Sequence, residues 1–166
     1  GVDLGGTNIA VGVVDEEYRI LGRGKIKTRA PRPAEEIAAD MASACRMALS
    51  EAGLTEADVE WIGVGSPGII DPVAGLVEFS NNLDFHHVPL RRLFSEATGK
   101  PVFLENDANV AAFGEALAGG ARGFSDVVAL TLGTGVGGGI IIGGKIYAGS
   151  NHAGAELGQG GMVYGG

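Results

Sequence analysis

Glycine placement constrains this chain more than any other feature. There are 30 glycines in 166 residues, against a usual share of about 7%. They gather at Gly5–Gly6, Gly133–Gly144 and Gly154–Gly166. Clustered glycine lets backbone come close to a ligand, with tight hairpin turns as the plainer alternative. Around the first two clusters the sequence loosely repeats itself. In each, two apolar segments flank a Gly/Thr turn, Gly5-Gly6-Thr7 in one and Gly133-Thr134-Gly135 in the other. The repeat predicts two related domains facing each other, residues 1–119 and 120–166, the second cut short. Gly1-Val2-Asp3 reads as the tail of a strand and Gly165-Gly166 as a turn, so the chain is expected to be part of something longer.

The patterning between the glycines fills in the elements. Residues 1–4, 9–14 and 18–27 read as an antiparallel meander. Ile37, Met41, Ala44, Cys45, Ala48 and Leu49 recur at three- and four-residue spacing, which predicts a helix over 33–52. Pro33, Glu35 and Glu36 suit its start and Gly53 its stop. Cys45 lies on that apolar stripe and reads as plain core. A strand over 61–65, a long polar loop over 71–88 and a short helix over 90–98 follow. Next come a strand over 102–104 and a helix over 107–118. Strands over 127–132, 136–142 and 145–147 close the chain. A meander followed by alternating strands and helices makes an α/β fold, a mixed sheet with helices on both faces.

Charge and cysteine exclude several classes. The formal net charge is −8 and no Lys/Arg cluster offsets it, so nucleic acid is not an expected partner. A single cysteine rules out an internal disulfide and a Cys-rich metal site, and fits a reducing cytoplasm. No apolar run approaches the length of a membrane span, so no membrane partner is expected.

Four segments carry chemistry. Asp3-Leu4-Gly5-Gly6-Thr7-Asn8 places two glycines and a hydroxyl in a tight turn, where backbone N–H groups can cradle phosphate oxygens. Asp3 could hold a metal or its water; an ordinary turn with a capping Thr is the alternative. Gly133, Gly135 and Gly138 satisfy a dinucleotide-binding glycine spacing. However, the β-branched run Ile140-Ile141-Ile142 follows where such a site needs a helix. Gly139 to Lys145 nearly matches a P-loop but has Ile146 where Ser or Thr should ligate Mg²⁺. What remains is a second Gly/Thr phosphate hairpin. Glu105-Asn106-Asp107 sits between a buried strand and a helix, where α/β proteins place ligands. Asp107 is either a helix cap or a base that accepts a proton from a substrate hydroxyl, and Asn106 can bond sugar hydroxyls. Glu156, among small residues, is either a sugar ligand or a solvated loop carboxylate.

Together with Ser66-Pro67-Gly68 and Gly154-Ala155-Glu156-Leu157-Gly158, these motifs resemble, in order and spacing, the ROK family of sugar kinases and sugar-responsive regulators. The likeness is greatest to its bacterial glucokinases and covers the first half of a typical member. The resemblance implies an actin-like ATPase fold with two ribonuclease-H-like domains and a cleft between them. It implies ATP-dependent phosphorylation of a hexose, glucose to glucose 6-phosphate, with Mg²⁺ accompanying ATP. Asp107 is implied as catalytic base. Gly68, Asn81, Asn106 and Glu156 are implied as sugar contacts. Asp3 with Gly5, Gly6 and Thr7, and Gly133, Thr134 and Gly135, are implied at the phosphates. A homodimer is implied as well.

One departure stands out. Gln159 occupies the position where similar glucokinases carry a His that ligates a structural Zn²⁺, and the partner Cys cluster is absent. No zinc and little or no turnover are therefore expected of these 166 residues alone. N-acetylmannosamine or another hexose is the alternative substrate, and a sugar-sensing transcriptional repressor is the alternative function.

Overall fold

A computed structural model describes residues 1–132 and 136–149. Three strands open it, β1 (Val2–Leu4), β2 (Asn8–Val14) and β3 (Ile20–Lys27), followed by α1 (Ala34–Ala52). A turn of 3-10 helix at Glu56–Asp58 leads into β4 (Ile62–Ser66). Then come β5 (Ile69–Asp71), β6 (Leu76–Ser80), β7 (Phe85–Val88), α2 (Leu90–Thr98) and β8 (Val102–Asn106). The rest is α3 (Asp107–Ala118), β9 (Val127–Leu132), β10 (Val136–Ile142) and β11 (Lys145–Ile146). Two compact units result, Gly1–Asp107 and Ala108–Gly166.

The first unit is built on a five-stranded mixed sheet in the order β3-β2-β1-β4-β8. The meander β1–β2–β3 is antiparallel, while β1, β4 and β8 run parallel. α1 lies on the sheet because its stripe of Ile37, Met41, Ala44 and Ala48 is fully buried there. It comes very close at β3, where a side chain on Gly22 or Gly24 would run into the backbone of Ala48 and Ala44. Gly53 ends the helix in the left-handed conformation, its N–H returning to the carbonyls of the last turn. Cys45 is half-buried against this core, and burial pushes its thiol pKa up.

The segment 71–88, expected as a polar loop, is largely a second sheet, three-stranded, in the order β5-β6-β7. Ile70, Val77, Leu83 and Phe85 are buried in the same hydrophobic cluster as the main sheet and α1. These apolar residues are spaced too irregularly for either period to show, and tertiary burial, not pattern, makes the strands.

In the second unit β9, β10 and β11 form an antiparallel sheet. α3 approaches β10 where it is all glycine. A Cβ at Gly139 would lie 2.6 Å from the Ala108 carbonyl oxygen, and one at Gly137 would lie 3.3 Å from Ala108 Cβ. The outward apolar residues Val128, Leu130 and Leu132 of β9 are exposed. No helix among the described residues is long and apolar enough to cross a membrane.

Candidate functional site

Register brings the chemistry-bearing residues together. Asp3 of β1 pairs with Gly65 of β4, and Gly65 pairs with Glu105 of β8. Ser66 pairs with Asn106 in the next row. The carboxyl ends of these three parallel strands therefore finish side by side, where an open α/β sheet places its ligands. Asp107 is the next residue, the first of α3. Its carboxyl is near enough to Asp3 to act on it: the protein around Asp3 and the charge of Asp107 both raise the Asp3 pKa above the ordinary carboxylate value.

The turn after β1 is closed by the Gly5 N–H donating to the Asn8 carbonyl at 2.9 Å. Beyond the turn, Thr28, the residue that follows β3, is fully buried, and its hydroxyl donates to the Gly5 carbonyl at 2.6 Å. The Thr28 N–H donates to the Thr7 carbonyl at 3.0 Å. With the carbonyls held in this way, the Gly6 and Thr7 N–H groups take no hydrogen bond among the described residues. Two open N–H groups on a fixed turn are suited to an anion.

On the other side, Gly68 follows β4 with φ +109°, a backbone conformation that favours glycine. A side chain there would also strike the Phe79 carbonyl and Ser80. The Gly68 carbonyl accepts the Asn106 Nδ2 amide at 3.0 Å. The Asn106 N–H in turn donates to Glu105 Oε1 at 2.9 Å. Ser80 is buried beside Gly68, and its hydroxyl has no hydrogen-bond partner among the described residues. Asn81 and Asn82 follow at the exposed turn between β6 and β7.

Of the residues singled out in the sequence, Asp3, Gly5, Gly6, Thr7, Gly68, Asn81, Asn106 and Asp107 all belong to this end of the first unit. Gly133, Thr134, Gly135 and Glu156 lie outside the described residues. Sequence reasoning missed Thr28 and Asn82. Nothing local to Thr28 points to the turn it clamps; Asn82 was legible only as the neighbour of Asn81. Two carboxylates, Asp3 and Asp107, offer hard oxygen donors of the kind Mg²⁺ takes beside substrate phosphates. No group of three or more His, Cys, Asp or Glu among the described residues could hold a metal ion by itself.

Comparison with known proteins gives a consistent answer. The family model described as "ROK family" matches residues 1–163. A glucokinase of Thermotoga maritima is 44% identical over 163 residues, covering 96% of this chain and 49% of the relative. Among solved structures, the Streptomyces griseus ROK family glucokinase in complex with glucose and AMPPNP superposes with a TM-score of 0.88 at 45% identity, over 98% of this chain and 50% of that one. The ROK hexokinase of Thermus thermophilus gives 0.84 at 41%, over 98% and 53%. The chain spans about half the length of the curated relatives it matches.

Proposed function

The chain belongs to the ROK family, and on that premise we propose that its residues serve the ATP-dependent phosphorylation of a hexose, glucose to glucose 6-phosphate. What supports this best is the meeting of Asp107, Asn106, Gly68 and the Gly5–Thr7 turn at the ends of β1, β4 and β8. A proton acceptor stands there within one small region of an open anion-binding turn. Likeness to a glucokinase solved with glucose and AMPPNP points the same way.

In this reading the sugar hydroxyls bond to Gly68, Asn81, Asn106 and Glu156. Asp107 orients the 6-hydroxyl and takes its proton as the oxygen attacks the γ-phosphorus, and ADP leaves. The Gly6 and Thr7 N–H groups hold phosphate oxygens, and Gly133, Thr134 and Gly135 form the second phosphate turn. Asp3 would hold Mg²⁺ or its water, and the ion when bound would neutralise charge on the phosphates. Functionally the chain then divides into a sugar-kinase domain over 1–119 and the start of a nucleotide-side domain over 120–166. The reading includes a cytoplasmic homodimer, and light scattering that finds only monomer would remove the dimer. It also includes no zinc on these 166 residues, which metal analysis checks.

The decisive test is Asp107→Asn in the full-length protein. Hexose binding should persist while kcat falls by about 10²- to 10⁴-fold, the usual contribution of a positioned base. Turnover close to wild type would remove Asp107 as base. A panel of hexoses compared by kcat/KM tests the choice of glucose, and preference for an N-acetylated sugar would overturn it.

A further inference from the structure

Gly6 belongs to the phosphate turn, yet its tightest neighbour is elsewhere. A Cβ at Gly6 would lie 2.9 Å from the Asn82 carbonyl oxygen and 3.1 Å from Asn82 Cβ. The β6–β7 turn that carries Asn81 and Asn82 therefore rests directly on the phosphate turn.

Neither turn has room to give way elsewhere. Thr28 holds the phosphate turn from the β3 side through the Gly5 and Thr7 carbonyls. The β6–β7 turn is fixed at its far end by Leu83 and Phe85, both buried in the core. At its near end Phe79 and Ser80 abut Gly68 so closely that only glycine fits. Gly68 in turn holds the Asn106 amide through its carbonyl. The segment from Phe79 to Asn82 is thus gripped between two glycines, Gly6 on the phosphate side and Gly68 on the sugar side. Movement of either turn must be passed to the other, since close-packed backbone has few soft directions.

We infer that Gly6 is a positioning residue for the sugar as well as part of the phosphate turn, acting through Asn82 to fix Asn81. This rests on the hexose-kinase reading above. It adds that the two substrates are mechanically coupled through one backbone contact inside the first unit, so that each senses the state of the other's turn.

The test is Gly6→Ala in the full-length protein, with hexose affinity measured by calorimetry in the absence of any nucleotide. A displacement of the order of 1 Å at a positioning group can cost a large factor, so hexose affinity should fall about tenfold or more. Overpacking at this contact should also lower the thermal midpoint, so hexose affinity is measured well below the unfolding transition. The double variant Gly6→Ala/Asn82→Gly removes the Asn82 Cβ, the second of the two atoms that the new methyl meets, and should recover part of the loss. Wild-type hexose affinity in Gly6→Ala, with only nucleotide binding impaired, would overturn the inference. If Gly6→Ala fails to fold, hydrogen exchange at the Asn82 and Leu83 amides of the wild-type protein decides: slower exchange when nucleotide alone is bound supports the coupling, and unchanged exchange removes it. Wild-type protein that binds no hexose at all would instead strike the hexose-kinase reading, and this inference with it.

Discussion

The two glycine hairpins of this chain share a plan and differ in what covers them. In the first, β1 and β2 bury Val2, Leu4, Ile9 and Val11, with α1 packed close over β2 and β3. In the second, β9 leaves Val128, Leu130 and Leu132 at 66%, 60% and 81% exposure, and β10 leaves Val136 and Ile142 open. Strand pairing is complete in both ladders. Hairpin geometry is a local matter, written in turn residues, whereas stability comes from burial and has to be supplied by another layer. The first hairpin can therefore be expected to hold a turn rigid enough to orient a ligand. In the second, every other side chain of β9 offers an apolar surface.

Variants that separate the two regions should rank accordingly. The largest effect is expected for Phe94→Ala, which empties a fully buried site under the first sheet. It should destabilise the first unit by about 3–5 kcal/mol, read as a shift of the denaturant midpoint. A loss below about 1 kcal/mol would mean that the core relaxes into the space, against close packing. Thr28→Val should come next. It keeps the shape and removes the donor to the part-buried Gly5 carbonyl, at a cost of about 1 kcal/mol. Phosphate-turn function should weaken with it. Equal stability and equal ATP affinity would show the clamp to be idle. The smallest change in stability is expected for Leu130→Ser on the exposed face of β9, within about 0.5 kcal/mol of wild type. Its effect should instead appear in light scattering, as less self-association at high concentration, since open apolar strand faces favour pairing. A large loss of stability there would show that β9 is covered in solution.

Much of this was legible in the sequence, and the gaps have physical reasons. The helix over 34–52, the strand leading into Asp107 and the helix after it follow from periodicity and breakers. The catalytic candidates could be named because each sits at a strand end marked by glycine or by a polar run. The sheet β5-β6-β7 was not legible. Leu83 and Phe85 are lone apolar residues among Asn81, Asn82, Asp84 and His86, and only burial against a distant core makes them structural. The grip of Thr28 on Gly5 and the contact of Asn82 with Gly6 were hidden for the same reason. Both join segments far apart in the chain, and neither leaves a local signal in composition or spacing.

The Thr28 amide offers an experimental use of the clamp. It donates to the Thr7 carbonyl at 3.0 Å from a fully buried position just past the end of β3. Its hydrogen can exchange with solvent only when the turn lets go. Deuterium uptake at this one position therefore times the opening of the turn from outside the ligand site. It does so without an attached probe and without a substitution in the turn. An anion seated on Gly6 and Thr7 should slow that exchange, and the slowing measures how firmly the turn is held.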